Sequence, residues 1–226
     1  LGSLVGDALR QTLSDPDRGG ADITVVNPGG LRAELLRDGD GVITFAEANA
    51  VLPFVNNLGT TTLTGDQVRR LLEQQWGDAV GREADLALGV SENVRYTYDA
   101  ARPAGERITG VWIDGQAIDP AGSYRVGSFS FLLQGGDAFS VLAEGTDPRD
   151  SGLIDRDGWI AYLQQNPGLS PDFAVRSAQV QDVPAEVARG SRAAFTVSGL
   201  DLTSLGSPLT TEVSASVGTG EPVSFA

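Results

Sequence analysis

The stretch Ile23-Thr24-Val25-Val26-Asn27-Pro28-Gly29-Gly30-Leu31-Arg32 carries the most weight in this chain of 226 residues. Its apolar, β-branched opening predicts a buried strand, and the Pro-Gly-Gly that follows ends it abruptly. Paired glycines let a backbone approach a ligand closely, and Arg32 offers a planar fork for phosphate oxygens. Taken alone, a strand closed by such a turn is a common structural device and says little about function.

Outward from this stretch the pattern alternates between helix and strand. Leu4, Val5, Ala8, Leu9 and Leu13 share one face of an opening helix. Thr44-Phe45-Ala46-Glu47 and Thr64-Gly65-Asp66-Gln67 are capping boxes, in which hydroxyl and N3 side chain satisfy reciprocal backbone donors. The second box opens a helix with Val68, Leu71, Leu72 and Trp76 inward, stopped by Gly77, and a further helix is predicted near Gly158–Gln165. Strands are predicted at Ile23–Val26, Val94–Tyr98, Ile108–Ile113 and Tyr124–Phe131, with Asp114-Gly115 as a hairpin turn. The fold class is therefore α/β or α+β, a layered sandwich of mixed sheet and helices. Beyond Val175 the helical period disappears, and Ser, Thr and Val make up 21 of the last 52 residues. Ala193–Val197 and Glu212–Val217 read as strands. The expected division is a domain over 1–174 and a partial all-β, sandwich-like appendage over 175–226.

Composition narrows the chemistry. The chain has no Cys, His or Met, and all sixteen basic residues are Arg. Thiolate zinc sites, disulfides, imidazole ligands and the Ser-His-Asp triad are thus excluded. A net charge of −14 is the wrong sign for polymeric nucleic acid, although converging arginines can still hold a small anion. No apolar run reaches the roughly eighteen residues that suggest a membrane span. The absence of an initiator Met and of a leader suggests a processed protein or excised domain, and the Ala-, Gly-, Asp- and Arg-rich, Lys-free composition suggests a high-GC bacterium. Two segments resemble late positions of a calcium loop, Asp38-Gly39-Asp40-Gly41 with Glu47 and Asp155-Arg156-Asp157-Gly158. Leu36 and Leu153 would occupy their first ligand positions, so both read as turns leading into helices.

Two aromatic segments complete the pattern. Leu52-Pro53-Phe54-Val55-Asn56 places an aromatic just past a helix, and Phe129-Ser130-Phe131-Leu132-Leu133-Gln134-Gly135-Gly136-Asp137-Ala138-Phe139 puts Phe131 six residues before an acid on a glycine turn. Singly, each phenylalanine reads more simply as core. In their order, Gly2–Arg10, Asn27–Arg32, Ile43-Thr44 to Pro53-Phe54, Thr64-Gly65, Leu88-Gly89-Val90 and Gly135-Gly136-Asp137 closely resemble the C-terminal domain of the 5′-nucleotidase family. The resemblance runs over roughly Leu1 to Phe139, and helical continuity extends it to about Asp172. The segment beyond Val175 is not covered.

The resemblance implies a nucleotide or nucleoside pocket. Phe54 and Phe131 would stack on the two faces of the base, Asp137 would accept from ribose hydroxyls, and Asn27 would bond the nucleoside. Asn56 matches a base-contacting position in some members, and Arg10 and Arg32 would grip phosphate. Gly29, Gly30, Gly135 and Gly136 would allow close backbone approach. The simpler role for Arg10 is an i,i+3 ion pair with Asp7, and for Asp137 a turn cap. Family members hydrolyse phosphate esters with two divalent metal ions in an N-terminal metallophosphatase domain, which would be this chain's partner in cis. The resemblance thus implies a hydrolase whose specificity domain is seen here, catalytically silent and without metal by itself, in a secreted or cell-envelope bacterial protein. The competing class is a non-catalytic extracellular adhesion module on the same fold. A glycosidase would need two facing carboxylates, and the sequence shows no such pair.

Overall fold

The computed structural model describes residues 1–36, 39–202, 206–215 and 223–225. In chain order its elements are α1 (Gly2–Leu13), β1 (Ile23–Val26), α2 (Phe45–Val51), β2 (Asn57–Thr64), α3 (Gly65–Glu73), β3 (Gly89–Val90), β4 (Val94–Tyr98), β5 (Ile108–Ile113) and β6 (Gln116–Ala117). There follow β7 (Ser123–Phe129), α4 (Ser130–Leu133), β8 (Thr146–Ile154), α5 (Asp155–Gln165), β9 (Ser177–Gln181), β10 (Thr196–Ser198), β11 (Val213–Ala215) and β12 (Val223–Phe225).

Two mixed five-stranded sheets, ordered β3-β1-β7-β2-β8 and β10-β9-β4-β5-β6, make the layered α/β architecture. All four residues of β1 are buried, as expected of a strand with neighbours on both sides. Helix α1 packs on β1 and β3 and against α5, whereas α3 contacts β2 and β7 of the first sheet and β5 of the second. The predicted inward face of α1 is realised, with Val5, Ala8, Leu9 and Leu13 fully buried. A single apolar core runs from α1 through both sheets to Trp159 of α5, whose indole N–H donates to the Ala48 carbonyl at 3.1 Å. Full burial of each large side chain there contributes about 1.5–3 kcal/mol.

Both capping boxes form, at Thr44/Glu47 and Thr64/Gln67. The Thr44 N–H and hydroxyl hydrogen-bond to the Glu47 carboxylate and hold its pKa below the ordinary glutamate value. Asp114 and Gly115 both take positive φ, 50° and 74°, in the β5–β6 turn.

Several expectations change. The strand predicted over Tyr124–Phe131 stops at Phe129, where its pairing with β2 ends opposite Leu58 and Phe129 becomes the N-cap of α4; Phe131 is helical. Trp76 lies beyond α3 and packs against Tyr98 with the rings tilted and their centroids 5.4 Å apart, beneath the Arg107 guanidinium. The segment Asp155–Gly158 is the first turn of α5 itself, and Asp38 lies outside the described residues.

Past residue 174 the chain returns to the body of the molecule. Strand β9 pairs in parallel with β4, placing Ser177 opposite Tyr96, and β10 adds beyond it. Just before β9, the buried Arg176 places two nitrogens at 2.7 Å from the two Asp7 carboxylate oxygens and donates to the Ser3 and Val90 carbonyls. Asp7 thus pairs with Arg176 rather than with Arg10. The strand expected over Ala193–Val197 is β10, shifted by a few residues, and that over Glu212–Val217 contains β11; Ser216 and Val217 lie outside the described residues.

Candidate functional site

Strand direction brings the candidate residues together. β1 and β7 run parallel, so the loops leaving their C-terminal ends emerge at one edge of the first sheet. β2 runs antiparallel to β7, so the segment entering β2 arrives at that same edge. Asn27–Arg32 follows β1, Phe131–Ala138 follows β7, and Phe54–Asn56 precedes β2. The C-terminal edge of parallel strands is where open α/β sheets commonly bind ligands.

The contacts along this edge are continuous. Asn27, 2% exposed, donates from Nδ2 to Asp137 Oδ2 at 2.5 Å, tying the β1 loop to the β7 loop. Asn27 Oδ1 is buried and has no hydrogen-bond partner among the described residues. Gly30 lies so close to these groups that a Cβ there would sit 2.9 Å from both Asn27 Oδ1 and the Phe129 ring, so no larger residue fits. Arg32 reaches back toward the Gly29 carbonyl at 3.5 Å, and its guanidinium lies 5.5 Å from the centre of the Phe54 ring. At the other end, the Phe131 ring covers Gly136 so closely that a Cβ there would come within 2.5–2.7 Å of it. The order along the edge is therefore Phe54, Arg32, Gly29, Asn27 with Asp137, Gly136, Phe131.

The phenylalanines of the 129–139 segment separate by environment. Phe129 and Phe139 are buried, whereas Phe131 is 47% exposed and Phe54 56% exposed. The two exposed rings do little for the core and are open to a ligand.

Both aromatic loops are strained. Val55 has φ +57°, unusual for a β-branched residue. The strain is held by Asp155, 1% exposed, whose Oδ2 accepts from the Asn56 backbone N–H at 3.1 Å and from Asn56 Nδ2 at 2.9 Å. Asn56 is thereby turned to α5, and its amide donor serves the loop rather than an open site. Asp137 and Ala138 have φ +53° and +61°, following Gly135 at +87°.

Arg10 does not join this group. Its Nε donates to the Asp22 carbonyl at 3.0 Å, and its guanidinium is 3.7 Å from Glu92 and 4.0 Å from Asp114. Asp22 precedes β1 whereas Asn27 follows it, so Arg10 sits at the opposite end of the strand. Sequence reasoning also missed Arg82, which hydrogen-bonds the Asp137 carbonyl and stacks on Phe139. An arginine in a Gly- and acid-rich loop carries no motif that would single it out.

Among the described residues, no group of three Asp or Glu side chains is placed to hold a metal ion. Likewise, no helix among them is long and apolar enough to cross a membrane.

The sequence profile of the 5′-nucleotidase C-terminal domain matches residues 1–144. The chain is 31% identical over 170 residues to the trifunctional nucleotide phosphoesterase protein YfkN of Bacillus subtilis, covering 73% of this chain and 11% of that protein. It is 28% identical over 158 residues to the NAD 5′-nucleotidase of Haemophilus influenzae, covering 65% of this chain and 26% of that protein. The crystal structure of a 5′-nucleotidase precursor from Thermus thermophilus superposes with a TM-score of 0.65 at 30% identity, covering 78% of this chain and 34% of that one. The chain therefore spans between a tenth and about a third of the length of these relatives. With its layered fold and the match over residues 1–144, the chain belongs to the 5′-nucleotidase family of hydrolases, through that family's C-terminal domain.

Proposed function

We propose that this chain is the nucleotide-binding specificity domain of a secreted or cell-envelope bacterial 5′-nucleotidase or related nucleotide phosphohydrolase. Phe54 and Phe131 stack on the base, Asp137 accepts from the ribose hydroxyls, Asn27 bonds the nucleoside, and Arg32 takes the phosphate. The observation that carries the reading is the pair of half-exposed phenylalanines at one sheet edge, linked through Arg32, Asn27 and Asp137. Stacking on an aromatic ring contributes about 1–3 kcal/mol per base. A hydrogen bond to a charged group adds about 1.5–3 kcal/mol. These are sufficient for a small anionic ligand despite the chain's net charge of −14. The relatives named above are a nucleotide phosphoesterase and 5′-nucleotidases, which supports a nucleotide as the ligand class.

Hydrolysis in this reading belongs to an N-terminal metallophosphatase domain joined in cis, where two divalent metal ions generate the nucleophile and stabilise phosphoryl oxygens. This chain binds and orients the nucleotide and does not cleave it alone. Isothermal titration of adenosine and AMP into the chain tests the pocket, with Phe54→Ala as the control. Saturable binding that the variant loses is expected. Binding unchanged in the variant would remove Phe54 from the site, and no binding at millimolar ligand by the folded chain would overturn the pocket as drawn.

A further inference from the structure

We propose that Arg82 is a positioning residue for Asp137, setting the direction of its carboxylate through the loop backbone without touching the ligand. The proposal rests on the assignment of Asp137 to the ribose.

Two consecutive non-glycine residues in the left-handed region, Asp137 and Ala138, keep that conformation only if their surroundings over-determine it. Arg82, in the loop after α3, supplies much of that constraint. Its NH1 donates to the Asp137 carbonyl. NH2 donates to the Gln74 and Gln75 carbonyls at 2.9 and 3.1 Å, and Nε to the Ala84 carbonyl at 3.1 Å. The guanidinium carbon lies 5.2 Å from the centre of the Phe139 ring, so the group is clamped in plane as well as at its edges. All four acceptors are neutral carbonyls, and among the described residues Arg82 makes no ion pair. Its planar fork, rather than its charge alone, is what the site uses. Gln74 grips the same loop farther on, donating to Ser140 Oγ at 2.9 Å and accepting from the Val141 N–H at 3.2 Å.

The carboxylate of Asp137 meets Asn27 Nδ2 on one side of its residue while the carbonyl of the same residue is held by Arg82 on the other. Fixing that carbonyl fixes the peptide plane and the direction of the Cα–Cβ bond, from which the Asn27 contact then sets the carboxylate. Without Arg82 the loop is free to relax toward φ below zero, and the carboxylate loses its aim. The hydrogen bonds of Arg82 go to the Gln74, Gln75, Ala84 and Asp137 carbonyls and none to the segment that carries Phe54, while Phe131 is held in α4 ahead of the strained turn, so the ribose contact is expected to suffer more than base stacking.

The test compares adenosine with 2′,3′-dideoxyadenosine by isothermal titration into the full chain, in wild type, Asp137→Ala, Arg82→Gln and Arg82→Lys. Wild type is expected to prefer adenosine, and Asp137→Ala to abolish the preference. Arg82→Gln should weaken adenosine binding by about tenfold or more and leave dideoxyadenosine within about twofold. Arg82→Lys should behave like the glutamine variant, because one ammonium cannot span four carbonyls in a plane. A residue that only supports the fold would weaken both ligands alike. Retention of the wild-type preference in either folded Arg82 variant, or equal weakening of both ligands, overturns the positioning role while leaving Asp137 in place. Absence of preference in wild type, or its survival in Asp137→Ala, instead overturns the ribose assignment and the proposal with it. If Arg82→Gln does not fold by circular dichroism, Arg82→Lys decides between these outcomes.

Discussion

The loops that present Phe54 and Asp137 are both strained, but they are braced differently. The Phe54 loop turns at Val55 and is held by Asp155, a carboxylate 1% exposed at the start of α5. The Asp137 loop turns at Asp137 and Ala138 and is held by Arg82, a half-buried guanidinium that meets backbone carbonyls at the margin of the apolar core. The first brace is part of the core, because Asp155 also closes the junction of β8 with α5 and its own N–H donates to the Asn56 carbonyl at 2.9 Å. The second is a local clamp. A buried brace couples its loop to global stability, whereas a peripheral one couples its loop mainly to local order.

The largest break is expected at Asp155. Asp155→Ala leaves the Asn56 N–H and Nδ2 without their acceptor and should lower unfolding free energy by about 3 kcal/mol, read from urea denaturation. Next comes Phe131→Ala, which should weaken nucleoside binding about tenfold, near 1.4 kcal/mol. Because the ring is half-exposed, its melting temperature should stay close to wild type. Unchanged affinity would remove Phe131 from the site. Val55→Gly sharpens the comparison from the other side. Relief of a left-handed β-branched residue should raise stability by about 1 kcal/mol in thermal unfolding, partly offset by glycine's greater freedom in the unfolded chain. The smallest effect is expected for Arg10→Gln. It should leave AMP affinity within about twofold of wild type, because Arg10 faces Asp22, Glu92 and Asp114 at the far end of β1. A loss like that expected of Arg32→Gln would return Arg10 to the phosphate site.

Much of the fold is legible in the sequence where local chemistry and burial agree. Ile23–Val26, Val94–Tyr98 and Ile108–Ile113 are strands as read, and both capping boxes mark true helix starts. β2 and β8 are hidden for opposite reasons. β2 is buried, but its Thr-rich Asn57–Thr64 run merges into a capping box, and β8 is an exposed, irregular edge strand paired through bulges. Phe131 reads as strand because Phe-Ser-Phe alternates, whereas the strand ends where β2 has no further residue to pair beyond Leu58 and Asn57, a long-range limit the local pattern does not carry. The candidate residues Asn27, Arg32, Phe54, Phe131 and Asp137 stand out in the sequence, yet which end of β1 faces them depends on strand direction. That is why Arg10 groups with them in sequence and parts from them in space. Arg82 is illegible because its bonds go to backbone carbonyls, which leave no pattern in side-chain identity.

The distance between the two ends of β1 has a practical consequence. The chain contains neither cysteine nor lysine, so an introduced thiol would be its sole side-chain attachment point for selective labelling. Glu92, whose side chain is 66% exposed beside Arg10 at the Asp22 end, lies away from the loops that carry Phe54 and Phe131. A Glu92→Cys variant would carry a fluorophore or surface tether on the rear of the first sheet and leave the opposite edge facing solution. The native architecture thus suits oriented immobilisation, with one handle behind and the Phe54 and Phe131 loops in front.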